Sequence, residues 1–319
     1  MWLELRVDAA AEAVDWVCAR LATTPYSHKI HITPYVGAAI DNEFVAPPIN
    51  WTSTLFLHLP CDGSEATQLA VIEAALASLE HGGLTSSLQH RVVASPTVEA
   101  GSMTQRIGQR FVVTSADGPD RAPSAADILL RLKPSPAFGS GLHPATQLSL
   151  QLLEQYVVKG MNVLDLGSGS GILSVAMAKL GAQVLALDND PVAVLATQDA
   201  VQRNEVAARV RVMAGSLGRG NHLGHWMGGA MDQTMPALAI ATQFDLIAAN
   251  VQAQFHVALA ADYRDALQPV SDTGGWLVTG GFTTDYSPGV TAALEAVGFE
   301  LIAEAHDHDW LALAHRLKS

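Results

Sequence analysis

Positive charge is scarce in this chain: 18 lysines and arginines stand against 31 aspartates and glutamates, for a net charge of −13 over 319 residues. A surface of that sign repels phosphate backbones, which argues against a nucleic-acid groove and for a basic partner. Cysteine is nearly absent. Cys18 and Cys61 lie far apart without metal-ligand spacing, which excludes a disulfide framework and a zinc knuckle and fits a reducing compartment. No apolar run is long enough to span a bilayer, and the opening MWLELRVDAA places Glu4, Arg6 and Asp8 where a secretory signal needs an apolar core. The expectation is a cytoplasmic monomer that touches neither membrane nor nucleic acid directly. What the chain has in quantity is apolar side chains, 49% of the whole, enough for the cores of two domains.

One stretch organises the rest. From Asn162 to Asp190 the sequence NVLDLGSGSGILSVAMAKLGAQVLALDND reads as a buried strand at 163–166 and a turn carrying Gly167, Gly169 and Gly171. An amphipathic helix at 172–179 and a second strand at 184–187, closed by Asp188, complete half of a nucleotide-binding βαβ unit. Glycines let the backbone pass close beneath a ligand, and a carboxylate at the end of the second strand can accept both hydroxyls of a ribose. The spacing differs from the dinucleotide fingerprint, which opens its last gap for a pyrophosphate. Asp165, two residues before the first glycine, disfavours a pyrophosphate and suits a ligand with an ammonium and a sulfonium, which points to S-adenosylmethionine.

Around this stretch the periodicity predicts two domains. Residues 2–7 alternate as a half-buried strand, a helix follows at 9–21, and extended segments are expected at 29–32 and 36–40. A strand at 54–59, a helix at 64–79 capped by Ser64 and a strand at 89–94 complete a ferredoxin-like α+β order over residues 1–95. Residues 96–136 read as a linker with strand candidates at 110–114 and 128–132. From 137 to 319 strands and helices alternate, which demands a doubly wound, mostly parallel sheet with helices on both faces. A fourth strand ends at Asn250, where such a sheet presents side chains to a ligand. Residues 215–243 show no periodicity and are expected to form a loop or flap beside the ligand. The run His306-Asp307-His308-Asp309 is read as a solvated turn between strands, with no metal expected.

Three motifs together carry a family resemblance: Phe138-Gly139-Ser140-Gly141-Leu142-His143-Pro144-Ala145-Thr146, Asp165 to Gly171, and Asn250-Val251-Gln252-Ala253. In order and spacing they resemble the PrmA family, the bacterial methyltransferases of the large-subunit ribosomal protein L-eleven. The resemblance implies a ferredoxin-like N-terminal recognition domain and a C-terminal class I, Rossmann-like methyltransferase domain. It also implies S-adenosylmethionine as cofactor and a basic ribosomal protein as substrate, methylated on lysine side chains and the N-terminal amine. By position it assigns Thr146, Gly167, Asp188 and Asn250 to the cofactor, with Phe138 and Gly139 nearby; Gly169 and Gly171 join them from the turn itself. Asn250 is expected to orient the attacking amine, and His143 to fix the turn before its helix rather than to act as a base. The chain departs from the family pattern at Gln252, Ser168, Ala145 and 99–105. The residues leave open a different methyl acceptor, a non-catalytic S-adenosylmethionine-binding relative, and an NAD-dependent oxidoreductase.

Overall fold

The computed structural model describes residues 1–26, 28, 30–35, 51–96, 104–115, 124–133, 139, 141–218, 237–238, 243–268 and 274–318. In the first sheet, β1 (Trp2–Ala10), β2 (His31–Pro34), β3 (Trp51–Pro60) and β4 (Gln89–Val93) lie in the order β2-β3-β1-β4, with every neighbouring pair antiparallel. Alternation decides its faces. Leu3, Leu5 and Val7 of β1 and Leu55, Leu57 and Leu59 of β3 form one core with α1 (Ala13–Ala22) and α2 (Glu65–His81). Each fully buried leucine there contributes about 1.5–3 kcal/mol. The element order and sheet order are ferredoxin-like, as expected.

Two local expectations fail here. β1 continues to Ala10, because pairing with Ser53 and Trp51 claims the alanines that helix propensity would give to α1. Ser64 precedes α2 without capping it: its hydroxyl donates to Asp62 and accepts from Gln68 Nε2. The strand expected at 36–40 lies outside the described residues.

The segment expected as a linker carries a second sheet, β5 (Thr104–Ile107), β6 (Phe111–Ser115) and β7 (Ile128–Leu132), in that order. Phe111, Val113, Leu130 and Leu132 share the core of the third and largest sheet, so this piece is anchored structure rather than a tether. Of the 215–243 stretch, only 215–218, 237–238 and 243 are described; there β11 (Ser216–Leu217) pairs in parallel with β12 (Ala237–Leu238).

The largest sheet contains β8 (Asn162–Leu166), β9 (Gln183–Asp188), β10 (Val210–Ala214), β13 (Leu246–Asn250), β14 (Trp276–Thr283), β15 (Phe299–Asp307) and β16 (Trp310–Leu317). Their order is β10-β9-β8-β13-β14-β16-β15. Neighbouring strands from β10 to β14 are parallel, and β16 enters antiparallel between β14 and β15. α3 (Pro144–Tyr156), α4 (Ile172–Lys179) and α5 (Pro191–Arg203) cover one face, where Leu148, Val163, Val175 and Leu246 meet. α6 (Ala253–Ala266) and α7 (Ser287–Ala296) cover the other, over Leu164, Ile247, Leu259 and Leu294. Successive residues of β8 therefore enter opposite cores, as a strand buried on both faces requires. The chain steps outward in opposite directions from the adjacent strands β8 and β13, and a crevice opens at their carboxyl ends.

Candidate active site

Gly139, Thr146, Gly167, Gly169, Asp188 and Asn250 line one cleft at that crevice. Phe138 lies outside the described residues. Gly171 stands off the cleft: it is the left-handed N-cap of α4, and a Cβ there would come within 2.9 Å of Thr197 Cα, so its hydrogen serves the close packing of α4 on α5. Gly167 has φ of 74°, and a Cβ on it would meet Val251 Cγ1 at 2.6 Å. Bare backbone at 167 lets the end of β13 approach the turn.

The turn is fastened from inside. The N–H groups of Gly167 and Ser168 donate to Leu187 O at 2.9 and 3.1 Å, and that of Gly171 donates to Ser168 O at 2.8 Å. Gly169 N–H donates to Asp188 Oδ2 at 2.9 Å. Asp188 Oδ1 also accepts from Asp190 N–H at 2.9 Å, so two backbone donors aim this carboxylate at the cleft. Ser168 and Thr197 pair through their hydroxyls at 2.9 Å, and Ser170 donates to Gly139 O at 2.5 Å, tying the second glycine loop to the first.

Asp165 is fully buried beneath the turn, away from the cleft lining, and accepts from Ser174 Oγ. Burial, aided by the Asp188 charge and opposed by the Ser174 bond, pushes its carboxyl up to about 7. The ammonium and sulfonium expected to face this carboxylate would not touch it, because it lies buried outside the cleft lining.

Asn250 ends β13 with its side chain in the cleft. Its Nδ2 donates to Thr146 Oγ1 at 3.3 Å, while Oδ1 is buried without a hydrogen-bond partner. An amide oxygen left in that condition is costly unless a ligand satisfies it. Thr146 owes its position to His143, the N-cap of α3, whose Nδ1 accepts from Ala145 N–H at 3.1 Å, with Pro144 in the first turn. Burial lowers the His143 imidazole to about 4, so it is neutral near pH 7, and it lines the cleft beside Thr146.

Sequence reasoning missed the far wall. Trp16 of α1 and Trp310 of β16 both line the cleft, and the Trp310 ring meets His143 edge-on at 4.4 Å between centroids. No local pattern marks either residue. His306 to Asp309 form the exposed end of the β15–β16 hairpin, with His306 against Glu304 and His308 against Asp307, both at 2.8 Å.

A dinucleotide pyrophosphate would need free N–H groups at the turn, and those of Gly167, Ser168, Gly169 and Gly171 are engaged within the protein. The cleft is lined instead by a carboxylate suited to a ribose and by Asn250, whose buried amide oxygen has no hydrogen-bond partner. On a sheet whose last strand is inserted antiparallel, that combination defines a class I methyltransferase that uses S-adenosylmethionine.

Comparison with known proteins narrows the class. A profile of the family described as Ribosomal protein L11 methyltransferase (PrmA) matches residues 101–318. A Ribosomal protein L11 methyltransferase of Chloroflexus aurantiacus is 39% identical over 327 residues, covering 99% of this chain and 98% of its own. Its counterpart in Herpetosiphon aurantiacus is 37% identical over 322 residues, with coverage of 99% and 98%. The crystal structure of a ribosomal protein L11 methylase from Lactobacillus delbrueckii subsp. bulgaricus shares the fold at a TM-score of 0.55 and 24% identity, over 68% of this chain and 99% of that one. This chain belongs to the PrmA family of ribosomal protein L11 methyltransferases.

Proposed function

We propose that this chain transfers methyl groups from S-adenosylmethionine to amino groups of the large-subunit ribosomal protein L11, on lysine side chains and the N-terminal amine. It acts as a cytoplasmic monomer without direct nucleic-acid contact. Residues 1–95 serve as the recognition domain and 137–319 as the methyltransferase domain. The observation that carries this reading is the buried, unpartnered Oδ1 of Asn250, held in the cleft by the bond from its own Nδ2 to Thr146.

S-adenosylmethionine, when bound, supplies a methyl group on a positively charged sulfur that is already a good leaving group. Asp188 would hold the ribose, and Gly139, Thr146, Gly167 and Gly169 would line the path of the amino-acid end. What remains for the protein is position. Asn250 Oδ1 accepts one N–H of a neutral amine, which fixes where the nitrogen lone pair points. Because the amide cannot ionise, it orients the amine without removing a proton. The net charge of −13 draws a basic substrate toward this surface.

The test is transfer of labelled methyl from S-adenosylmethionine into purified L11, followed by mapping of the modified amines. The expected result is label on lysine and the N-terminal amine with the native chain, and none with Asp188→Ala or Asn250→Ala. Equal labelling by both variants sinks the site assignment; label confined to other proteins of a ribosome-containing lysate sinks the substrate.

A further inference from the structure

Helix α1 belongs to the core of the first sheet through Val14, Val17, Cys18 and Leu21. Glu12, Asp15 and Trp16, spaced i, i+3 and i+4, turn instead toward the cleft of the largest sheet. Glu12 Oε2 accepts from the indole N–H of Trp310 at 2.8 Å. The buried carboxylate of Asp15 accepts from the N–H of Gly139 at 3.2 Å. Trp16 lines the same cleft as Asn250, Thr146 and Trp310. Burying a carboxylate costs several kcal/mol, roughly, unless it is bonded, and this one accepts from a glycine of the cleft. Directional bonds thus attach α1 to β16 through Glu12 and to the glycine loop before α3 through Asp15.

We propose that Trp16 is an acceptor-positioning residue: with Trp310 it walls the chamber through which the substrate amine reaches Asn250, and Glu12 and Asp15 hold its helix in place. The proposal rests on the reading of Asn250 given above. The chemistry selects the acceptor. Two indoles present flat apolar walls and electron-rich faces, which suit an amine on a flexible aliphatic chain and hold the alkylammonium that each methyl transfer produces. Trp310 is fixed for this work from two directions, by Glu12 on its N–H and by His143 against its ring.

The experiment uses the full-length chain with purified L11 as acceptor and S-adenosylhomocysteine as donor-site probe. Trp16→Ala is expected to lower kcat/KM for the acceptor about tenfold or more and to shift the products toward lower methylation, while the dissociation constant for S-adenosylhomocysteine changes less than twofold. Trp16→Phe, which keeps an aromatic wall, is expected to restore most of the loss. Glu12→Gln, close to isosteric, is expected to give a smaller loss of about threefold, and it serves if Trp16→Ala does not fold. Wild-type acceptor kinetics in Trp16→Ala, or in Glu12→Gln where Trp16→Ala fails to fold, overturn the proposal while Asn250→Ala remains inactive. Full activity in Asn250→Ala overturns the underlying site reading instead.

Discussion

At the donor end of the cleft the fastening bonds join near neighbours in sequence: Gly169 to Asp188 across 19 positions, Thr197 to Gly169 across 28, and Ser168 to Thr197 across 29. At the acceptor end, Asn250 reaches Thr146 across 104 positions, Asp15 reaches Gly139 across 124, and Trp310 reaches Glu12 across 298. The first half can assemble as one βαβα unit. The second exists only when four remote parts of the chain have docked. Donor binding should therefore survive damage that abolishes transfer.

The largest effect that bears on this contrast is expected from Asp188→Ala. Losing a carboxylate that would accept two ribose hydroxyls and also anchors Gly169 should weaken S-adenosylhomocysteine binding about a hundredfold or more, measured by calorimetry. Asn250→Ala should bind the same probe within a few-fold of the native chain, so a parallel collapse of affinity there would show that the two halves are not separable. Next is Gly167→Ala. A left-handed φ and a Cβ contact with Val251 Cγ1 at 2.6 Å should cost about 1–3 kcal/mol in stability and loosen both halves together, since Val251 adjoins Asn250. Thr146→Val removes the acceptor for Asn250 Nδ2 and changes the lining of the donor's amino-acid end, so it should lower kcat about tenfold and weaken S-adenosylhomocysteine binding by only a few-fold.

Acid provides the finest division. Burial lowers His143, His256 and His315 to about 4, from an ordinary 6.5. His143 caps α3, His256 donates from Nε2 to Gly280 O at 2.9 Å, and His315 lies in β16. A lowered histidine stays neutral in the fold while the unfolded chain takes up its proton, so stability present above about pH 6.5 is lost as pH falls toward 4. Asp165, raised to about 7, has the opposite sign: its burial penalty is full above pH 7 and is relieved as pH falls toward 4. Three groups outweigh one, and thermal midpoints should drop between pH 6.5 and 4. Asp165→Asn should steepen that drop by removing the opposing contribution; a shallower one would break the assignment.

The same separation explains what could be read from sequence. Gly167, Gly169, Asp188 and the strands around them announce themselves because ligand chemistry and local conformation share one contiguous stretch. Asn250 was reachable from its place at a strand end. Trp16, Trp310, Glu12 and Asp15 were not, since α1 shows only its own amphipathic face, and nothing in that spacing names the sheet it will touch. β5 escaped notice because Thr-Gln-Arg-Ile is short and polar, and it is a strand only by pairing with β6. Ser64 had the right residue type for a cap, but nearby Asp62 and Gln68 claimed its hydroxyl.

The position of β16 has a consequence for how the molecule is made. β14 and β15 do not bond to each other; each pairs with β16, which follows both in the chain. During synthesis they emerge with open edges and must wait, exposed to mispairing, until the strand that belongs between them leaves the ribosome. Trp310 opens that late strand, so the chamber for the acceptor is the last part of the enzyme to come into being. A nascent chain could already hold its methyl donor well before it is able to modify anything.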